Sequence, residues 1–179
     1  MDIKHHWALA ILLLVTNCNQ EKLPPETQSG NNTFACKVNG KVWIPNGGPG
    51  FMGDKAITGG YYEIPDTPPR VGIELTGSMK NGERVSFFLN GDEEGNYKLN
   101  EETSVKPFNR IPKNYGYYYK NDTYFVTDTK YTGEVTITHS GHYTDGIIAG
   151  TFSFKAVSVK DPSQVVEITN GRFDINIHK

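Results

Sequence analysis

Coordination chemistry has its best opening in His139-Ser140-Gly141-His142-Tyr143-Thr144-Asp145, where His139, His142 and Asp145 stand three residues apart. Imidazole nitrogens and a carboxylate form a donor set that zinc accepts. On a helix this spacing would bring the three onto one face. The segment reads as a hairpin loop, where Ser, Gly, Thr and Asp are equally ordinary turn formers. Asp92-Glu93-Glu94-Gly95-Asn96 carries charge for a hard cation, but it lacks the alternating ligands and terminal bidentate Glu of a calcium loop and reads as a solvated turn.

Aromatic chemistry concentrates at Tyr115, Tyr117, Tyr118, Tyr119, Tyr124 and Phe125. Rings with polar tips suit stacking on sugars or covering an apolar ligand. A period of two sends Tyr115, Tyr117 and Tyr119 to one strand face and Tyr118 to the other, so part of this patch belongs to packing. Tyr115, Tyr117, Tyr119 and Tyr124 are the ligand-contact candidates. Nothing marks a nucleophile, base and orienting group that converge, or a pair of carboxylates at catalytic separation. Asn46-Gly47-Gly48-Pro49-Gly50 lacks the Lys-Ser/Thr and the following helix of a phosphate loop. The expectation is a non-catalytic protein with no cofactor.

The N-terminus carries a different chemistry. Lys4, His5 and His6 precede an apolar run from Trp7 to Val15, the layout of a secretory signal. A transmembrane helix needs roughly 20 apolar residues, about twice what this run supplies. The run closes on Val15-Thr16-Asn17-Cys18, which resembles a bacterial lipobox whose Cys18 thiol takes a diacylglycerol, although Asn17 stands where a small residue is usual. The alternatives are an ordinary signal cut nearby or a Cys18–Cys36 disulfide. The latter asks a flexible tail to hold a specific geometry, whereas Cys36 fits a strand as a small apolar residue.

These residues need elements to position them. Residues 1–17 read as signal peptide and 18–32 as a lipidated flexible tether, with Leu23-Pro24-Pro25 its only apolar mark. A flexible linker of about 14 residues spans ~20 Å. Residues 33–179 read as one all-β domain, with short alternating runs separated by Gly, Asn, Asp and Pro. Asn39-Gly40 marks a hairpin in Thr33 to Ile44. A two-residue loop sets Cys36 opposite Trp43, and a three-residue loop sets it opposite Val42. In the second hairpin, Val71, Ile73 and Leu75 alternate against Val85, Phe87 and Leu89. Only an odd loop aligns these faces, so Lys80, Asn81 and a left-handed Gly82 are expected to place Leu75 opposite Phe87 and Ile73 opposite Leu89.

Further strands are predicted over 96–99, 115–120, 124–127, 133–138, 147–159, 165–169 and 172–177. Asn170-Gly171 is either a tight turn or a bulge within one longer strand. Eight to ten antiparallel strands then form a sandwich or an up-and-down barrel. Eighteen basic and 20 acidic residues, a net charge of −2, argue against a nucleic-acid partner.

Two sets of motifs carry a family resemblance. Leu23-Pro24-Pro25-Glu26-Thr27-Gln28-Ser29-Gly30, Asn32-Thr33-Phe34 and Val38-Asn39-Gly40-Lys41-Val42-Trp43 open the mature region. Gly150-Thr151-Phe152-Ser153-Phe154 and Ile168-Thr169-Asn170-Gly171-Arg172-Phe173-Asp174-Ile175 close it. Together they resemble a Bacteroidota cell-envelope lipoprotein family of unknown activity. The resemblance implies a cell-envelope β-domain and brings no catalytic residues; with Cys18 as the lipid anchor, the expected location is the outer membrane. Three roles follow as expectations: a structural or binding component of the envelope with a glycan or protein partner, a glycan binder using the 115–125 tyrosines, or a lipocalin-like carrier of an apolar ligand.

Overall fold

The computed structural model describes residues 22–48, 55–64, 68–100 and 113–178. The signal peptide, Cys18 and residues 19–21 of the expected tether lie outside them. Among the described residues there is no helix, and eleven antiparallel strands form one open sheet around a main core, with a smaller aromatic cluster besides. The strands are β1 (Thr33–Val38), β2 (Lys41–Trp43), β3 (Ile57–Ile64), β4 (Arg70–Ser78), β5 (Arg84–Leu89), β6 (Gly95–Leu99), β7 (Tyr115–Lys120), β8 (Thr123–Val126), β9 (Gly133–Ser140), β10 (Ile147–Ser158) and β11 (Val165–Asn176). The main path runs β2-β1-β11-β10-β8-β7-β5-β4-β3. The sheet branches at β10, because Ile148 to Phe154 pair with β9 whereas Val157 and Ser158 pair with β8; β6 then pairs with β9.

Alternation dictates which face each strand buries. Phe34, Phe87, Phe152 and Phe173 meet at the centre, with ring centroids 5.0 Å apart for Phe34 and Phe152 and 5.2 Å for Phe87 and Phe173. Aromatic pairs at such spacings add ~0.5–1.5 kcal/mol each beyond the area they bury. The interior is therefore filled by rings and aliphatic side chains, with Ile73, Leu75, Leu89, Leu99 and Ile148 completely buried.

Turn chemistry sets the registers. Asn39 and Gly40 both have positive φ, 48° and 78°, and Cys36 faces Trp43 across the two-residue loop. Gly82 is left-handed at φ 88°, with Leu75 opposite Phe87 and Ile73 opposite Leu89, as the alternation requires. Asn170-Gly171 is the bulge. β11 runs through it, and the pairing slips between Phe152–Gly171 and Phe154–Ile168. Asn170 takes the positive φ of 53°, and a Cβ on Gly171 would lie 2.5 Å from the Phe152 ring. Cys36 is a buried free thiol, which burial pushes far above its usual pKa.

One expectation is corrected. Residues 22–32, expected as part of a flexible tether over 18–32, instead strap the outside of the sheet. The Arg172 guanidinium donates to the Pro24 carbonyl (2.9 Å) and the Gln28 amide to the Thr138 carbonyl (3.0 Å). Backbone N–H groups of Ser29, Gly30 and Asn31 converge on the Asp174 carboxylate at 3.1, 2.7 and 3.2 Å, and the Thr27 hydroxyl donates to it as well. Alternation puts Ala35 and Ala149 on the face opposite Phe34 and Ile148, yet both are fully buried on this strapped side. A polar segment without periodicity reads as linker because its partner is a carboxylate more than 140 positions away.

Candidate functional site

The expected metal triad divides into two pairs. His139 sits at the end of β9, its Nε2 3.0 Å from Asp145 Oδ2, with Glu94 Oε1 3.8 Å from its Nδ1. His142, in the loop between β9 and β10, turns instead to Asp92, its Nδ1 3.0 Å from Oδ2. Among the described residues no three His, Cys, Asp or Glu side chains gather as a metal-holding group. Asp145 is held by its neighbours: the Ile147 backbone N–H first, then His139, keep its carboxyl below the usual range.

A different arrangement occupies that end of the sheet. The His142 imidazole stacks between two tyrosine rings, Tyr61 of β3 at 4.1 Å and 15° and Tyr143 at 4.1 Å and 27°. Tyr61 is partly buried and exchanges a 3.1 Å hydrogen bond with the Ser140 hydroxyl. Burial pushes its phenol above the ordinary value. Tyr143, at the outer end of this three-ring ladder, is 84% exposed. Asp92 pairs with His142, the ring on which Tyr143 stacks, and Glu94 and Asp145 pair with His139. The Ser140 hydroxyl is engaged by Tyr61 rather than by an imidazole, so Ser140, His142 and Asp92 do not form a nucleophile–base–acid relay. A flat exposed ring backed by a ring stack, with histidine–carboxylate pairs at the same end of the sheet, suits a polyhydroxylated ligand with an apolar face.

The tyrosines of 115–124 divide as period two demands. Tyr118 enters the main core, and Tyr115, Tyr117, Tyr119 and Tyr124 share the outer face with Phe88 and Tyr62. That face is largely closed: Tyr115 is 3% and Tyr117 5% exposed. Phe88 stacks on Tyr115 at 5.4 Å, and Tyr124 meets the Tyr117 ring edge-on at 5.7 Å. Beneath them Thr76 and Ser86 share a 2.7 Å hydrogen bond. Only Tyr119 and Tyr124 of the four candidates keep partial exposure, so the expected row of ligand contacts is mostly a packed layer.

Two carboxylates, Asp174 buried and Glu83 partly so, hold elements together. Glu83 accepts from Trp43 Nε1 (3.2 Å) and the Tyr118 hydroxyl (3.0 Å), and pairs with Lys120 at 2.9 Å. Burial pushes Glu83 up, but the bonds from Lys120, Tyr118 and Trp43 outweigh it and hold its pKa below the usual range. Asp174 follows the same logic: burial raises it, and the donors from the strap lower it further than burial lifts it.

Sequence reasoning had marked His142 but not Asp92 as its partner, nor Tyr61 or Asp174. Tyr61 lies in β3, whose Ile57-Thr58-Gly59-Gly60-Tyr61-Tyr62-Glu63-Ile64 shows no clean apolar alternation and was not among the expected strands. No curated protein and no solved structure matches the chain. Residues 70–175, from the first residue of β4 nearly to the end of β11, match a family profile that spans the Asp92–His142 pair, Tyr143 and Asp174. That match covers more than half of the 179 residues, and the chain belongs to the family described as Domain of unknown function (DUF6252).

Proposed function

We propose that this chain is a lipid-anchored protein of the cell envelope, attached to the outer membrane through Cys18, whose β-domain binds a partner and catalyses nothing. The observation that carries the reading is the strap. Residues 22–32 are fastened along β11, so the segment that follows Cys18 is part of the domain's own surface and not a free leash. An anchor at residue 18 then fixes where the domain sits. Cells fed a clickable fatty acid are expected to label the wild-type chain and not Cys18→Ala, with the variant leaving the membrane fraction. Equal labelling of both would overturn the anchor.

A second reading, glycan binding, is favoured by the ladder and not by the 115–125 patch. Tyr143 presents an open ring stacked on His142, which pairs with Asp92, whereas Tyr115 and Tyr117 are covered. On a glycan array, Tyr143→Ala is expected to lose binding about tenfold, by analogy with the roughly 1–3 kcal/mol that a nucleobase gains on stacking against an aromatic ring. Its thermal midpoint should stay unchanged, since that ring is almost fully exposed. Array binding that survives the substitution would remove the glycan reading. The carrier alternative finds no support in an interior already filled by phenylalanines.

A further inference from the structure

The strap begins beside a cleft of about 640 Å³ whose lining includes Lys22, Lys37, Lys41 and Arg172 and no carboxylate. This collects four cations on a chain whose net charge is −2. Arg172 forms a fixed wall, bonded to the Pro24 carbonyl and 3.7 Å from Glu26, which lines the neighbouring cleft. The three lysines differ from Lys98, Lys120 and Lys155, which pair with Glu134, Glu83 and Glu167. No carboxylate lies within salt-bridge distance of Lys22, Lys37 or Lys41 among the described residues. Lysines brought together without counter-charge repel one another, and an anion placed among them relieves that cost.

Chain length supplies the second observation. Lys22 is four residues beyond Cys18, and four residues at full extension reach at most ~14 Å. With Cys18 acylated at the membrane interface, Lys22 lies within reach of the headgroup layer whatever path the intervening residues take. Lys37 and Lys41 line the same cleft.

We propose that this cleft seats the phosphate of an anionic phospholipid headgroup, so that the domain rests against the bilayer by its β1–β2 hairpin; the inference rests on the reading of Cys18 as the anchor. Short-range phosphate contact from the three lysines is the chemistry, with the Arg172 guanidinium, bonded to the Asn170 and Pro24 carbonyls, adding charge from the wall and Asn170 lining the cleft as a neutral group. The ladder of Tyr61, His142 and Tyr143 lies beyond the Ile147 end of β10, which is four residues along from Thr151, the partner of Arg172. Four strand residues are ~13 Å, so the candidate ligand platform stands clear of the headgroup contact.

The test uses the unacylated chain of residues 22–179, since every described strand and both core clusters lie within it. It is expected to pellet with vesicles of phosphatidylcholine and phosphatidylglycerol and not with phosphatidylcholine alone. Each of Lys22→Ala, Lys37→Ala and Lys41→Ala is expected to weaken that binding about fivefold, the equivalent of one lysine near an anionic surface. Lys155→Ala, outside the cleft, should leave it unchanged, and all four variants should melt with the parent chain. Equal binding to both vesicle types, equal loss in Lys155→Ala, or binding of inorganic phosphate without vesicle binding would each overturn the proposal. Fatty-acid labelling of Cys18 in cells without anionic-vesicle binding by this chain overturns the cleft and spares the anchor. Vesicle binding without labelling overturns the anchor and leaves the headgroup contact standing.

Discussion

At the residue scale, Asp174 has the largest reach. A carboxylate that is 1% exposed survives in a protein only if its charge is met, and here backbone N–H groups of the strap meet it. Asp174→Asn turns one acceptor oxygen into a donor facing those same N–H groups. Hydrogen bonds to a charged group are worth ~1.5–3 kcal/mol, so the variant is expected to lose about 2–3 kcal/mol in urea unfolding at neutral pH. The pH dependence has a definite sign. The folded carboxyl titrates below its unfolded value near 3.9, so its contribution is complete above that value and drains away as pH falls through the folded pKa. The gap between wild type and Asp174→Asn should accordingly narrow below about pH 4; a gap that persists undiminished in acid would show that the charge is not what fastens the strap. His142 teaches a related lesson. Its loop was recognisable as polar and His-rich, but its partner Asp92 stands 50 positions away in a run that resembles any solvated turn.

Among the elements, the strap and β3 are the two that sequence patterns missed, for opposite reasons. β3 has strand geometry but pairs Gly59 and Gly60 where apolar residues would announce a buried face. The strap has no regular structure at all, and its order comes from side chains on other strands. The hairpin of β4 and β5 was legible to the residue because both strands alternate cleanly and only one loop length reconciles them. At Asn170-Gly171 local chemistry fits a turn and a bulge equally well; the choice falls to β1 and β10, which pair with β11 on both sides and keep it one continuous strand. Deleting residues 1–32 tests the strap as an element. The chain starting at Thr33 should be less stable than the chain starting at Lys22 by about 4 kcal/mol, more than the Asp174 bonds alone, because Ala35 and Ala149 also lose their cover. That corresponds to a fall of roughly 8–16 °C in the thermal midpoint of a domain this size. Coincident melting curves would return residues 22–32 to the status of a leash.

For the whole molecule, the all-β class and the antiparallel pairing were readable from alternation and turn residues, whereas the branching of one sheet was not. Branching depends on β10 being 12 residues long, enough for β9 to occupy one part of its flank and β8 another. Nothing in its own sequence states which partners share that flank. The ends of the sheet carry a consequence for life on a surface. β2 is three residues long and β6 five, and the start of β3 lies against Ile175 to Ile177. Copies confined to two dimensions collide far more often than copies in free solution, and an open strand edge is the place where such collisions turn into cross-chain sheets. Edges as short as β2 and β6 give a neighbour few rungs to grip, which leaves the eight-residue β3 as the edge along which a crowded layer of these domains would first pair.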